Sequence, residues 1–187
     1  MKIAITGHSK GIGKALFEYF ENHGHTVVGF SRSGGFDISH ESSRQHILNT
    51  LASCDVFINN AYALKAQKQL LLSAINLWEG TTNTIINIDS KSTLMKNIPS
   101  YMEEYVRDKT EQKEIIKNRV FKARPHIINF TVGLVDTDMT REFDAKKIAP
   151  TDLAKFIYML LEFKKTVSVQ DVLVEVPDLD WNDIKRI

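Results

Sequence analysis

Tyr105-Val106-Arg107-Asp108-Lys109 sets a phenol and an ammonium four residues apart. Residues at that spacing share one helix face, so both groups can point into a single site. A cation beside a phenol favours phenolate, which predicts a Tyr105 pKa drawn down from its usual ~10 and a side chain suited to general acid or base work. The same spacing occurs on many surface helices and does not make a site by itself. A stronger signal is Thr6-Gly7-His8-Ser9-Lys10-Gly11-Ile12-Gly13, between an apolar run and a helical pattern. Glycines there let backbone approach a ligand with no Cβ in the way. The free N–H groups and positive end of the following helix favour a pyrophosphate. In isolation, three glycines also fit a tight turn with close helix–strand packing. His8 lies inside this loop and reads either as a cofactor contact or as a solvent-facing loop histidine. No His/Cys/Asp/Glu cluster has metal-ligand spacing, and the single cysteine, Cys54, reads as apolar packing rather than a nucleophile.

The segments that must position these groups alternate between two periods. Lys2–Thr6 reads as a buried strand ended by Gly7. Ile12, Ala15, Leu16, Tyr19 and Phe20 then recur as one face of an amphipathic helix, which Gly24 stops. His25–Phe30, Cys54–Asn59, Thr84–Ile88, His126–Val132 and Val172–Val176 are further strand candidates. A long polar helix is expected after Pro99, to about Lys122, and another over Thr151–Phe163. Near-continuous apolar strands separated by helices indicate a parallel sheet covered on both faces. Right-handed crossovers make it an α/β, doubly wound, Rossmann-type sheet, with its ligand crevice beyond the carboxyl ends of the strands.

Composition agrees with one globular domain over residues 1–187. Apolar residues make up 43% and charged ones 25%, values that argue against extensive disorder. With 24 Lys+Arg against 23 Asp+Glu the formal charge is +1, so no overall field holds nucleic acid or an anionic membrane. One cysteine fits a reducing compartment. The apolar runs Ile3–Ile5 and Phe156–Leu161 are far too short for a signal-peptide core or a bilayer span. A soluble, cytoplasmic protein is expected.

Taken in order, the motifs resemble the short-chain dehydrogenase/reductase superfamily from Lys2 to about Val176, as an unusually short member. Thr6–Gly13 matches TGxxxGIG. Asn59-Asn60-Ala61-Tyr62 matches NNAG with tyrosine for glycine, and Ile86-Asn87-Ile88-Asp89-Ser90 ends the strand that carries a catalytic serine. Tyr105–Lys109 matches YxxxK, and Gly133–Met139 matches the tail of PGxxxT with Val132 in place of proline. The resemblance implies about seven strands in the order 3-2-1-4-5-6-7. It also implies roles. Tyr105 would exchange a proton with the substrate oxygen, while Lys109 would hold the nicotinamide ribose and lower the tyrosine's pKa. Ser90 would polarise the carbonyl, and Asn76 would position a proton-relay water. Strand alignment selects Ser90, whereas the usual spacing before the tyrosine selects Ser92; a strand end fixes direction more rigidly than a loop, which favours Ser90. Gly7, Ser9, Lys10, Gly11, Ile12 and Gly13 would cradle the cofactor, with Asn60 and Ala61 beside it. Val135 and Thr137 would meet its nicotinamide half. Asp37 would accept from the adenine amide, and Ile38 would wall it.

An acid ending the second strand would hydrogen-bond NAD ribose hydroxyls and repel a 2′-phosphate. Phe30-Ser31-Arg32-Ser33 has none, and Arg32, with Lys10 as a second cation, suits that phosphate, which favours NADP(H) over NAD(H). Only six residues separate Phe30 from Asp37, too few for the helix the family places there. Only Arg141–Ala149 is left for a substrate lid, so an open site, or one completed by a partner subunit, is expected. The resemblance also implies a homodimer or homotetramer through the helices of Asn76 and Tyr105. The resulting expectation is an NADP(H)-dependent oxidoreductase interconverting a small-molecule carbonyl and an alcohol. A nucleotide-binding regulator without turnover and a 3-oxoacyl-thioester reductase are the alternatives.

Overall fold

A computed structural model describes residues 1–119, 125–163, 166–177, 179 and 185–186. Five strands rich in Ile, Val and Phe and one helix-flanked edge strand set the frame. They are β1 (Lys2–Thr6), β2 (Thr26–Phe30), β3 (Val56–Asn59), β4 (Thr84–Ser90), β5 (His126–Val132) and β7 (Asp171–Val174). All pair in parallel, in the order β2-β1-β3-β4-β5-β7. Alternate residues supply opposite faces. Ile3, Ile5, Ile58, Ile86 and Phe130 meet α1 (Gly11–Asn22) and α5 (Pro150–Phe163) through Leu16, Phe20, Leu153 and Ile157. Phe57, Ile85 and Ile127 point the other way, onto α2 (Glu41–Leu51), α3 (Ala66–Leu77) and α4 (Glu103–Arg119). The doubly wound α/β arrangement is as the periodicity indicates. Lys122, the expected end of the polar helix, lies outside the described residues.

The strand count and order differ from the expectation. Among the described residues the sheet has six strands rather than about seven, and β2 rather than a third strand forms its edge. The missing outermost strand has a physical cause: a parallel neighbour needs a crossover of about a dozen residues or more. Here Arg32–Gly34 form a 3-10 turn capped by the Ser31 hydroxyl, and the Phe36 N–H returns to the Ser31 carbonyl at 2.9 Å. The chain then runs directly into α2. Cys54 lies outside β3, buried in the turn before it, with its thiol donating to the Thr50 carbonyl at 3.4 Å. Val135 bridges to Ile148, which closes the loop between them, and β6 (Phe143–Asp144) pairs antiparallel with β8 (Lys185–Arg186) from the end of the chain.

The face under α3 and α4 carries a polar row that periodicity did not suggest. Asn59, Asn87, Asn129 and Asp171 lie in register on four adjacent strands. Asn59 donates to Asn87 at 3.0 Å, Asn87 to Asn129 at 3.4 Å, and Asn129 to Asp171 at 3.2 Å. Asp89, 2% exposed, accepts from Asn129 and Thr131. Most buried polar groups are bonded in this way, though Asn59 Oδ1 and Asp89 Oδ1 are buried with no hydrogen-bond partner among the described residues. The row ends beside the group described next.

Candidate active site

Three strand ends meet at the carboxyl edge of the sheet. At the first, Gly7 has φ +76° and its N–H donates to the Phe30 carbonyl at 2.6 Å. A Cβ on Gly13 would lie 2.2 Å from the Gly7 carbonyl oxygen. The loop is thus folded onto α1 with no room for a side chain between them. The buried Thr6 hydroxyl accepts from the Asn60 and Ala61 N–H groups, both at 3.0 Å, and the Asn60 amide donates to the Thr6 carbonyl at 2.9 Å. These bonds lock the loop after β3 to the loop after β1. Lys10 is the extended N-cap of α1; no side chain caps it, and its first turn carries no acid. The first N–H groups of Gly11, Ile12 and Gly13 therefore keep their donors and the positive end of the dipole for an anion. The glycine cradle and bare helix start fit the pyrophosphate of a dinucleotide. Ser9 is exposed beside them, and Ile12 packs against the core.

Thr137 joins this cradle: a Cβ on Gly11 would sit 3.1 Å from its methyl group. Val135 is buried, with its carbonyl accepting from the Thr140 hydroxyl. Lys10 extends to within 4.0 Å of the Asp138 carboxylate, on the Thr137 side, rather than joining Arg32 as expected. An exposed, flexible cation goes to the nearest opposite charge. Arg32 is exposed in the turn after β2. Asp37 accepts from the Ser39 N–H at 2.9 Å, a bond that, with the Ser39 hydroxyl, holds its carboxyl below the usual range. Ile38 is buried in the core under α2. His8 packs against Gly29, where a Cβ would come within 2.2 Å of its ring, and against Phe17, with centroids 5.1 Å apart.

At the end of β4, Ser90 caps a 3-10 turn over Lys91–Leu94, and its hydroxyl lies 2.9 Å from that of Ser92. Ser92 is buried at 4% exposure, whereas the Ser90 hydroxyl is the one that acts on the Tyr105 phenol, pulling its pKa downward. The strand end thus brings Ser90 to the tyrosine and leaves Ser92 behind it. Lys109 is 3% exposed and donates to the Gln67 side-chain oxygen at 2.8 Å and the Ile88 carbonyl at 2.7 Å. Burial pulls its pKa down to about 8, against the opposing pull of Asp89 and then Asp108.

Two expectations fail here. Burial pushes the Tyr105 pKa up, outweighing the downward pull of the Ser90 hydroxyl, with Asp89 adding to the rise. The ammonium does not draw it down, because Lys109 Nζ stands 5.9 Å from the ring centroid with two donors committed elsewhere. Asn76 is exposed near the C-terminal end of α3, nine residues or about two and a half turns beyond Gln67, the residue that does contact Lys109. Helix geometry cannot bring both to one point.

Gln67, Tyr62 and Asp89 are site residues the sequence reading missed. Gln67 shares the helix stripe of Leu70, Leu71 and Ala74, and a polar residue on an apolar stripe was the available signal. The Tyr62 ring meets that of Tyr105 edge-on, at 4.7 Å and 78°, with Lys109 Nζ 5.7 Å from its centroid. Burial first, then Asp108, pushes the Tyr62 pKa up to about 12, so it stays a neutral phenol. Its backbone needs no positive φ; in this loop Lys65 takes that conformation, at 59°.

No protein-family model and no curated protein matches this chain. Solved structures do. A 3-alpha-hydroxysteroid dehydrogenase from Pseudomonas sp. B-0831, complexed with NADH, is similar at a TM-score of 0.72 and 19% identity, covering 94% of this chain and 95% of that one. A short-chain dehydrogenase from Burkholderia cenocepacia J2315 in complex with NADP gives 0.75 and 17%, covering 94% and 88%. A glucose dehydrogenase of Caenorhabditis elegans, in its apo form, gives 0.73 and 22%, covering 93% and 95%. At these identities the likeness establishes the fold.

Proposed function

We propose that this chain, which has the fold of the short-chain dehydrogenases/reductases, is a nicotinamide-dependent oxidoreductase acting on a carbonyl or alcohol as a single catalytic unit. The observation that carries the reading is the gathering of Ser90, at the end of β4, and Tyr105, whose ring lies 5.9 Å from the buried Lys109 ammonium, at the same sheet edge as the glycine cradle. A nucleotide-binding protein has no need of a phenol, a hydroxyl and an ammonium gathered in this way. The bound dinucleotide supplies or accepts the hydride. Ser90 hydrogen-bonds the substrate oxygen, where a fixed donor stabilises developing negative charge. Because burial keeps Tyr105 protonated at neutral pH, its phenol is set to give a proton to that oxygen in the reducing direction. Lys109 holds its ammonium beneath the phenolate this leaves. The experiment is to incubate the protein with NADPH or NADH and a panel of ketones, aldehydes and alcohols, following nicotinamide absorbance. Turnover supports the reading; binding of cofactor with no turnover of any of them favours the regulator.

NADP(H) is the proposed form. Support comes from the exposed Arg32 at the end of β2, where no acid stands to repel a 2′-phosphate. Lys10, held on the Asp138 side, is not needed for this. Arg32→Ala is expected to weaken NADPH by the worth of a charge-assisted bond, about 1.5–3 kcal/mol, or roughly ten- to a hundredfold. NADH affinity should change little. Fluorescence titration with both coenzymes checks this, and an equal loss for the two removes the phosphate assignment.

A further inference from the structure

Lys109 is held in a way that the proposed chemistry does not by itself require. An ammonium has three donors. Two of them are committed, to Gln67 Oε1 at 2.8 Å and to the Ile88 carbonyl at 2.7 Å. Gln67 is fully buried, and its amide orientation follows from its partners: Nε2 donates to the Asn59 carbonyl at 2.8 Å and reaches the Ile88 carbonyl at 3.4 Å. Rotating the amide would set its NH₂ against the ammonium and its oxygen against a carbonyl. In return, Asn59 Nδ2 donates to the Gln67 carbonyl at 3.2 Å, so the first turn of α3 is tied at both ends to the strand that precedes the cofactor loop. The side chain therefore has one orientation, and its oxygen faces Lys109.

We infer that Gln67 is the positioning residue of the site, a direct clamp that aims the one uncommitted donor of Lys109 toward cofactor and Tyr105 and holds its charge without a relay through Asn76. The role in turnover rests on the oxidoreductase reading; the clamp does not. The charged and titratable groups around Lys109 come from every neighbouring element. Tyr62 covers it from the loop before α3, and Asp89 approaches from β4. Tyr105 and Asp108 belong to α4 itself, and Lys68 on α3 lies 3.8 Å from Asp108 and is also paired with Glu111. The carboxylates favour the ammonium and burial opposes it, so the two neutral acceptors that touch it, Gln67 Oε1 and the Ile88 carbonyl, contribute directly to keeping it charged, and of these only Gln67 is a side chain that can be replaced.

Two substitutions of similar length test the clamp with opposite signs. In Gln67→Glu a carboxylate replaces the amide oxygen, and the Lys109 titration should rise by about one pH unit or more. In Gln67→Met the acceptor is lost, and the titration should fall. Both are read on the cofactor-free protein by NMR of ¹³Cε-labelled lysine, with the Lys109 signal identified by its absence in Lys109→Met. With cofactor and substrate, the alkaline limb of kcat/KM should move in the same directions as the lysine. Opposite shifts in the two variants establish the clamp, since a general loss of packing would move both alike. Unchanged titration, or shifts of one sign, overturns it. If Gln67→Met does not fold, the upward shift in Gln67→Glu decides alone. Opposite lysine shifts with no turnover on any carbonyl would keep the clamp and remove the oxidoreductase reading, whereas turnover with an unmoved lysine would do the reverse.

Discussion

Tyr105→Phe is expected to lower turnover by about 10²–10⁴-fold, the usual contribution of one positioned acid or base, while NADPH binding stays near wild type. The substitution deletes one oxygen from a side chain whose ring is fixed by Tyr62 at 4.7 Å, so the ring has no reason to leave. What is lost is the proton, together with the hydroxyl on which Ser90 acts. The pH profile should report the same group. Burial raises the Tyr105 pKa, so the acid form persists well above neutrality and no acidic limb should arise from it. Lys109, drawn down to about 8, is the first of the two to titrate as pH rises, and loss of its charge should set the alkaline limb of carbonyl reduction. Steady-state kinetics between pH 6 and 10, beside a fluorescence titration of NADPH, separates the two effects. A Tyr105→Phe protein with full kcat would mean that the proton comes from elsewhere.

The alternation of strands and helices was legible because the strands are short and largely apolar and the helices carry an apolar stripe, and these are the signals burial writes into a sequence. The lost edge strand was half legible. The spacing of Phe30 and Asp37 already excluded a helix, but the consequence, that a parallel strand without a crossover cannot join the sheet, was not drawn. Ser90, Tyr105 and Lys109 were readable because strand end and helix spacing fix where they point. Gln67 was not, because its role depends on a contact 42 residues away in the chain. Tyr62 was noticed as a departure from NNAG, but the place of its ring against Tyr105 depends on packing that the sequence does not show. The pKa error has the same origin. Spacing shows that a cation is near a phenol, but only packing shows how deeply both are buried, and burial is the larger effect at each.

Gly13→Ala tests fold and site together, because one atom is asked to enter a space that two elements already fill. The added carbon would lie 2.2 Å from the Gly7 carbonyl oxygen, 2.8 Å from its carbon and 2.7 Å from the Asn60 amide nitrogen. A flexible side-chain tip could give way, but backbone cannot do so cheaply. The Gly7 N–H is bonded to Phe30, and the Asn60 amide is bonded to Thr6, so moving either breaks a tie between neighbouring strand ends. Moving α1 instead would pull the fully buried Leu16 and Phe20 off the sheet. The expected cost is at least about 3 kcal/mol, the upper end for an overpacked site, or roughly 6–12 °C in Tm for a domain of this size. Ser9→Ala, exposed in the same loop, should stay within about 0.5 kcal/mol of wild type in stability. NADPH affinity should fall with stability in Gly13→Ala, because the displaced loop and the helix start that faces the pyrophosphate are the same atoms. Thermal unfolding alongside a coenzyme titration gives both readings, and a Gly13→Ala protein with unchanged Tm and unchanged NADPH affinity would show that this contact neither holds the fold nor seats the cofactor.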